Sequence, residues 1–439
     1  MSDEPNRAAT MPSPAATGGT KRPRVAIVAT LDTKGHEAAH VRDVLAACGV
    51  DALLIDAGCL ASPAVTPDVA RAELFAAGGH DAQALQRAAD RGRAVSAAAE
   101  SAAAWARRAH AVGQIAGVLA IGGSAGTTIG TAAMRALPLG VPKVMASTLA
   151  SGQVRHYVAD KDILMLNTVV DLSGLNRVTR SVLAEAARAM AGMVLLGDCA
   201  APRSDNAAAA DRLLVAATMF GVTTPCVELA RKELEALGYE VLVFHATGNG
   251  GQAMESLIEE GVFAGVLDLT TTELADELVG GVLSAGPERL TAAGRCGVPQ
   301  VVSLGATDMV NFHAPHTVPE RFRGRVFYQH NPNVTLMRTT AAECAAIGAD
   351  MGRKLATATG PVAVLAPQQG VSAIDRAGQP FDNPSARRAL VTALRAAAPL
   401  LEVQEFDCHI NDPAFAQAAA RRLAAMIAEH AASRGKSRD

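Results

Sequence analysis

Short runs of β-branched and aliphatic residues alternate along the chain with longer alanine-rich stretches in which polar residues recur at helical spacing. The first run, Val25-Ala26-Ile27-Val28-Ala29-Thr30, is apolar at successive positions, as a strand covered by helices on both faces must be. Further strands are predicted at Ala52–Asp56, Ile115–Ile121, Pro142–Ser147 and Ile163–Asn167. Helices are predicted at His36–Cys48, within Asp81–Ala111, from the Gly122 loop through Arg135, and at Leu175–Leu195. Gly49 falls where a helix C-cap glycine belongs.

A polar, turn-rich stretch from Gly197 to Asn206 interrupts this rhythm and reads as a domain boundary. Beyond it the alternation restarts. Strands are predicted at Leu213–Thr218, Val241–His245, Gly265–Leu269, Gln300–Leu304, Val326–Gln329, Val362–Leu365 and Leu401–Phe406. The intervening helices are Thr224–Leu237, Gly251–Glu260, Glu273–Leu283, Pro287–Arg295, Thr340–Ala356, Ser385–Ala397 and Pro413–Arg434. The fold class predicted is α/β: two Rossmann-like, doubly wound parallel-sheet domains with a ligand cleft between them. The boundaries are a tail over 1–22, a domain over 23–197, a linker over 198–211, a second domain over 212–434 and a tail over 435–439.

Composition narrows the function classes. The chain has 439 residues, 49% of them hydrophobic, enough apolar material for two cores. A net charge of −3 gives no basic footprint for nucleic acid, and 3% aromatic residues give no stacking platform for single strands. The seven cysteines contain no C-x-x-C pair, so neither a disulfide framework nor a zinc knuckle is expected. No apolar run reaches the roughly 18 residues of a membrane span, and the N-terminal stretch lacks the apolar core of a secretory signal. A cytoplasmic location is expected.

In a parallel sheet, ligands sit at the C-terminal ends of the strands, so the loops just after strands carry the candidate chemistry. The foremost is Gly122-Gly123-Ser124-Ala125-Gly126-Thr127-Thr128, running from a strand straight into a helix. Glycines let backbone N–H groups approach an anion, the helix start adds unpaired donors and a positive dipole end, and Ser124, Thr127 and Thr128 add hydroxyls. Packing of strand against helix is the competing reason for the glycines. After the first strand, Thr33 and Lys34 offer a hydroxyl and a point charge. Ser147 and Thr148 follow the fourth strand, and Asp160 and Asn167 come next as candidates for a magnesium-bound water or a ribose. In the second half, Gly248, Gly250 and Gly251 open a helix after His245 as a second anion-loop candidate. Arg338 is a candidate for phosphate or carboxylate, and Asp160, Asp308 and Asp375 for metal or base. His313 and His316 flank Pro315, which breaks the helix needed to align them, so no metal site is assigned.

Several of these segments, in this order, resemble the tobamovirus resistance protein-like ATP-binding family: Ala29–Gly35, Ile121–Thr127, Val326–Pro332 with Val334–Thr340, and His409–Pro413. The resemblance runs from Arg24 to the C-terminus, and Ala125 stands where that pattern leads one to expect glycine. It implies two Rossmann-like subdomains, a homodimer, and ATP with Mg2+ in the cleft between subdomains. Transferred residue by residue, the nucleotide contacts are Thr33, Lys34, Gly122, Gly123, Ser124, Gly126, Thr127, Thr128, Ser147 and Thr148, and more loosely Gly248, Gly250 and Gly251. Some members are joined to a barrel resembling phosphoenolpyruvate mutase, which this chain lacks, so a partner barrel protein would act in trans. The functions expected are an ATP-dependent enzyme on a small carboxylic acid, a nucleotide-gated interaction module without turnover, or a nucleotide-sugar enzyme of epimerase type.

Overall fold

The computed structural model describes residues 22–59, 61–197 and 212–436. The chain divides into two compact units, residues 1–158 with 162–199, and residues 159–161 with 200–439. The division falls within the stretch read as a linker, most of which lies outside the described residues, as do residues 1–21 of the N-terminal tail.

The N-terminal unit holds β1 (Arg24–Ala29), β2 (Asp51–Asp56), β3 (Gly117–Gly122), β4 (Lys143–Ser147) and β5 (Leu164–Asn167). These form one sheet in the order β2-β1-β3-β4-β5, with every pairing parallel. Alternate residues of one strand feed two different cores. Val25 and Ile27 pack under the helices Leu31–Ala47 and Arg177–Leu196, while Ala26 and Val28 meet Arg91–Ala111 and Ser124–Arg135 on the opposite face. This two-sided burial is why the strands read as continuous apolar runs. Gly49 takes φ +84° after the first helix, where a side chain would be strained.

The C-terminal unit holds β6 (Leu214–Met219), β7 (Glu240–His245), β8 (Gly265–Thr270), β9 (Gln300–Gly305), β10 (Met309–Phe312), β11 (Phe327–Asn331), β12 (Val334–Arg338), β13 (Val362–Pro367) and β14 (Glu402–Phe406). Its six-stranded parallel sheet runs β14-β13-β9-β8-β6-β7. Counted within the unit, the first five strands repeat the 2-1-3-4-5 order of the N-terminal sheet, and β14 extends it. Both units are therefore Rossmann-like and doubly wound, as predicted. The strands β10, β12 and β11 form a separate antiparallel sheet that the expectation of purely parallel pairing did not contain. Only the Val326–Gln329 run had been read as a strand there; its partners are short and interrupted by polar residues. Two further helices, Arg71–Ala77 and Ala82–Ala88, precede Arg91–Ala111.

Candidate functional site

In the 2-1-3-4-5 order the chain leaves β1 toward β2 on one side and returns to β3 on the other. The crevice at this reversal, between the C-terminal ends of β1 and β3, is where such sheets bind ligands. The two loops bounding it are Thr30–Gly35 and Gly122–Thr128, the two phosphate candidates of the N-terminal unit.

The structure separates the roles within the second loop. A Cβ on Gly122 would lie 2.8 Å from the Gly126 Cα, one on Gly126 would lie 2.8 Å from the Ile121 carbonyl, and one on Gly130 would lie 2.3 Å from the Ala120 Cβ. These glycines let the helix Ser124–Arg135 press against β3. Gly123 is different, because a Cβ there meets only the Thr148 Oγ1 at 3.6 Å. It is the N-cap, with φ −84° and ψ −150°, and no side chain caps this helix start. The first-turn N–H groups therefore face the crevice end of the sheet without an internal acceptor from a cap. Ser124 is exposed and Thr128 half-buried, its Oγ1 donating to the Ser124 carbonyl at 3.0 Å.

Thr127 and Ser147 are fully buried. Their hydroxyls are 2.7 Å apart, Thr127 also reaches the Gly123 carbonyl at 2.8 Å, and Ser147 accepts the Leu149 N–H at 2.9 Å. The pair ties β4 to the helix start, and its polar atoms are used within the fold. Thr148 is half-buried at the rim, its N–H donating to the Gly122 carbonyl at 3.3 Å.

On the β1 side, the helix begins earlier than predicted, at Leu31, and takes in the Asp32–Gly35 turn, with a kink at Lys34 (φ −127°, ψ 20°). Thr33 shares a 2.8 Å hydroxyl contact with Thr30. Asp32 faces the guanidinium of Arg71 at 3.9 Å, and that same guanidinium meets Asp56 at 3.3 Å. Burial raises the Asp56 carboxyl above its ordinary range. Lys34 is half-buried; its backbone N–H donates to the Thr30 carbonyl at 2.7 Å, and its ammonium has no hydrogen bond or ion pair among the described residues. The loop on one side of the crevice thus carries a lysine whose charge is unpaired among those residues, and the loop on the other an uncapped helix start.

The second anion-loop candidate is built otherwise. The carboxylate of Glu273 accepts the N–H groups of Gly248 at 2.7 Å and Gly251 at 3.1 Å. A Cβ on Gly251 would lie 2.2 Å from the Glu273 Oε2, and one on Gly250 would lie 1.9 Å from the His245 carbonyl. The loop does hold an anion, but an internal one: Glu273 takes the N–H groups of Gly248 and Gly251, two of the three glycines expected to meet a nucleotide, while Gly250 lies against the His245 backbone. Glu273 in turn pairs with Arg289 at 2.7 Å, and Arg289 forms two further bonds to Asp268 at 2.5 and 2.8 Å. Arg289 is fully buried, and burial lifts the Glu273 carboxyl against its pull. Neither residue carried a sequence signal: Glu273 reads as a first-turn acid, and nothing local marks an arginine as buried.

The other candidates are likewise occupied. Arg338 donates to the carbonyls of Phe381 (2.7 Å), Asp308 (3.2 Å) and Thr339 (3.0 Å), and lies 3.4 Å from Asp375. It braces the C-terminal unit, which corrects its reading as a ligand contact. Asp375 also meets Arg387 at 2.7 Å. Asp308 accepts the Ser372 hydroxyl at 2.8 Å, and burial beside Asp375 pushes its carboxyl up to about 7. Asn167 accepts the Val169 N–H at 3.2 Å, and Asp160 lies 4.0 Å from the Lys161 ammonium. His313 and His316 are exposed, and among the described residues no group of three histidine, cysteine or acidic side chains is placed to hold a metal. No helix among the described residues is long and apolar enough to cross a membrane.

Fold and crevice together define a two-unit, doubly wound α/β protein with an open anion-compatible loop in its first unit. The chain belongs to the uncharacterised protein family UPF0261: its N-terminal domain matches residues 23–198 and its C-terminal domain residues 212–427. A UPF0261 protein of Clostridium tetani is 46% identical over 406 residues, covering 92% of this chain and 99% of that one. The ToMV resistance protein Tm-1(GCR237) of Solanum lycopersicum is 44% identical over 307 residues, 69% of this chain. That match spans only 40% of the tomato protein's length. Among solved structures, a UDP-N-acetylglucosamine 2-epimerase from Rickettsia bellii matches 64% of this chain and 79% of its own, at 10% identity and a TM-score of 0.23.

Proposed function

We propose that the N-terminal unit binds the phosphates of a nucleotide, ATP with Mg2+ being the first candidate, between Lys34 and the start of the helix Ser124–Arg135. The observation that carries this is the pairing of an uncapped helix start at Gly123 with a lysine whose ammonium has no partner among the described residues, across the strand-order reversal. The residues fit the group. Backbone N–H groups and the helix dipole attract negative charge, Lys34 supplies a compact cation, and Ser124 and Thr148 stand at the rim as hydroxyl donors. Thr127 and Ser147 shape the loop from beneath. Turnover is not required by this arrangement, and no acid–base pair in the crevice assigns a reaction.

Titration calorimetry of the full chain with ATP and magnesium, inorganic tripolyphosphate and a UDP-sugar tests it. ATP and tripolyphosphate bind, and Lys34→Ala weakens both about tenfold, the effect of one charge-assisted contact. Failure of the wild type to bind either compound, or equal affinity in Lys34→Ala, overturns the reading. Preference for the UDP-sugar over ATP reassigns the nucleotide. ADP release measured across a panel of small carboxylic acids then separates an enzyme from a nucleotide-gated module.

A further inference from the structure

The row of strand ends that carries the phosphate loop continues to β5. Gly122 is in register with Ser147, and Ser147 with Asn167. With adjacent strands about 4.8 Å apart, Asn167 lies about 10 Å from Gly122 along the sheet edge. Just beyond it the chain makes a turn unlike any other in this unit. The Val170 N–H donates to the Thr168 carbonyl at 2.6 Å, closing a γ-turn with Val169 at its centre and φ +63°. A β-branched residue rarely adopts this conformation, and a glycine would adopt it without strain.

Three further bonds hold the strained turn in place. The Thr168 Oγ1 donates to the Val170 carbonyl at 2.8 Å, the Thr168 N–H donates to the Ser147 carbonyl at 3.3 Å, and the Val169 N–H donates to the Asn167 Oδ1 at 3.2 Å. Thr168 is fully buried, whereas Val169 is 74% exposed and Val170 37%. The fold thus spends a buried threonine and an asparagine side chain on presenting two valines to solvent. Neither valine belongs to a core cluster among the described residues, and the turn holds the Val169 side chain in solvent.

We infer that Val169 and Val170 form the apolar face that receives the base of the nucleotide whose phosphates lie at Gly123 and Lys34. This rests on the phosphate reading above. The occupant follows from position and size. Two rigid side chains, on the same row of strand ends as the phosphate loop and about 10 Å from Gly122, within the reach of an extended nucleoside triphosphate, suit one face of a planar ring. A purine or pyrimidine is held there by dispersion and desolvation, since the two side chains that face solvent are apolar. Selectivity among bases at this face is accordingly weak.

The test uses Val169→Gly and Val169→Asp in the full chain, titrated with ATP and with tripolyphosphate, alongside thermal melting. Val169→Gly relieves the strained φ and melts no lower than the wild type, which separates binding from folding. Both variants bind tripolyphosphate as the wild type does, while ATP affinity falls about tenfold in Val169→Gly and further in Val169→Asp. Unchanged ATP affinity in both variants overturns the inference and leaves the phosphate site standing. A change of oligomeric state without a change in ATP affinity also overturns it, assigning the turn to a protein contact. A wild type that binds neither compound removes both readings together.

Discussion

Two glycine-rich loops in this chain have the same local description, a strand end followed by glycines and a helix start, yet they are opposite in kind. At Thr247–Gly251 the N–H groups are closed by the Glu273 carboxylate, which is itself fixed by the buried Arg289. At Gly122–Thr128 no side chain caps the helix, and the Lys34 ammonium of the neighbouring loop has no partner among the described residues. The first arrangement is a self-neutralised structural unit; the second is the one proposed above to take its anion from solution. The difference teaches that a glycine loop at a helix start supplies donors, while the remainder of the fold decides whether the anion comes from within or from solution.

The largest expected effect comes from unseating the internal anion. Arg289→Met leaves Asp268 and Glu273 buried without their cation and costs the C-terminal unit about 3–5 kcal/mol, read from urea unfolding. A loss below about 1 kcal/mol would mean that the network contributes little and that the two loops differ less than the geometry says.

Converting the open loop into a closed one comes next. Gly123 has a negative φ and room for a side chain, so Gly123→Asp caps its own helix. Helix stability rises by a few tenths of a kcal/mol, and affinity for tripolyphosphate falls about a hundredfold, because a carboxylate now holds the donors and repels the ligand. Unchanged affinity in titration calorimetry would show Gly122–Thr128 to be a packing loop.

The glycines themselves sharpen the contrast. Gly251→Ala places a Cβ against the Glu273 carboxylate and costs about 1–3 kcal/mol by denaturant unfolding. Gly123→Ala, which meets only a distant hydroxyl, costs under about 1 kcal/mol, the difference between glycine and alanine at an N-cap. Equal costs would erase the distinction.

A separate effect concerns pH. Burial pushes the Asp276 carboxyl up to about 7, although Asn311 donates to it through its backbone N–H at 2.9 Å and its Nδ2 at 2.6 Å. Because the folded state holds this proton more tightly than the unfolded state does, the associated stability is present below about pH 4 and is lost as pH rises toward 7. Between pH 5 and 8 the wild type loses on the order of 2–3 kcal/mol from this group, a loss that Asp276→Asn removes from the melting profile. Parallel profiles would place the titration elsewhere in the unit.

Much of this was legible in the residues. Val25–Thr30 predicts β1 to within one residue, because a strand buried on both faces leaves no polar position to confuse the pattern. Gly49 predicts a helix end because its conformation is local. The candidate site was half legible. Lys34 and Gly123 were named from strand-to-helix loops, but Thr127, Ser147, Gly248, Gly250 and Gly251 have the same residue types and serve the fold. Arg338 looked available to a ligand and is buried among carbonyls.

The sequence by itself determined the strands of the two parallel sheets, most of the helices, and the list of loops able to meet an anion, all of which depend on contacts within a few residues. Only the tertiary structure decided which loop remains open. It paired Glu273 with Gly248 and Gly251 across more than twenty residues, joined Thr127 to Ser147, set β10, β12 and β11 into an antiparallel sheet, and left the Lys34 ammonium without a partner among the described residues. The physical reason is that a buried polar group is satisfied by whatever long-range packing brings within about 3 Å of it, and no local pattern records that partner.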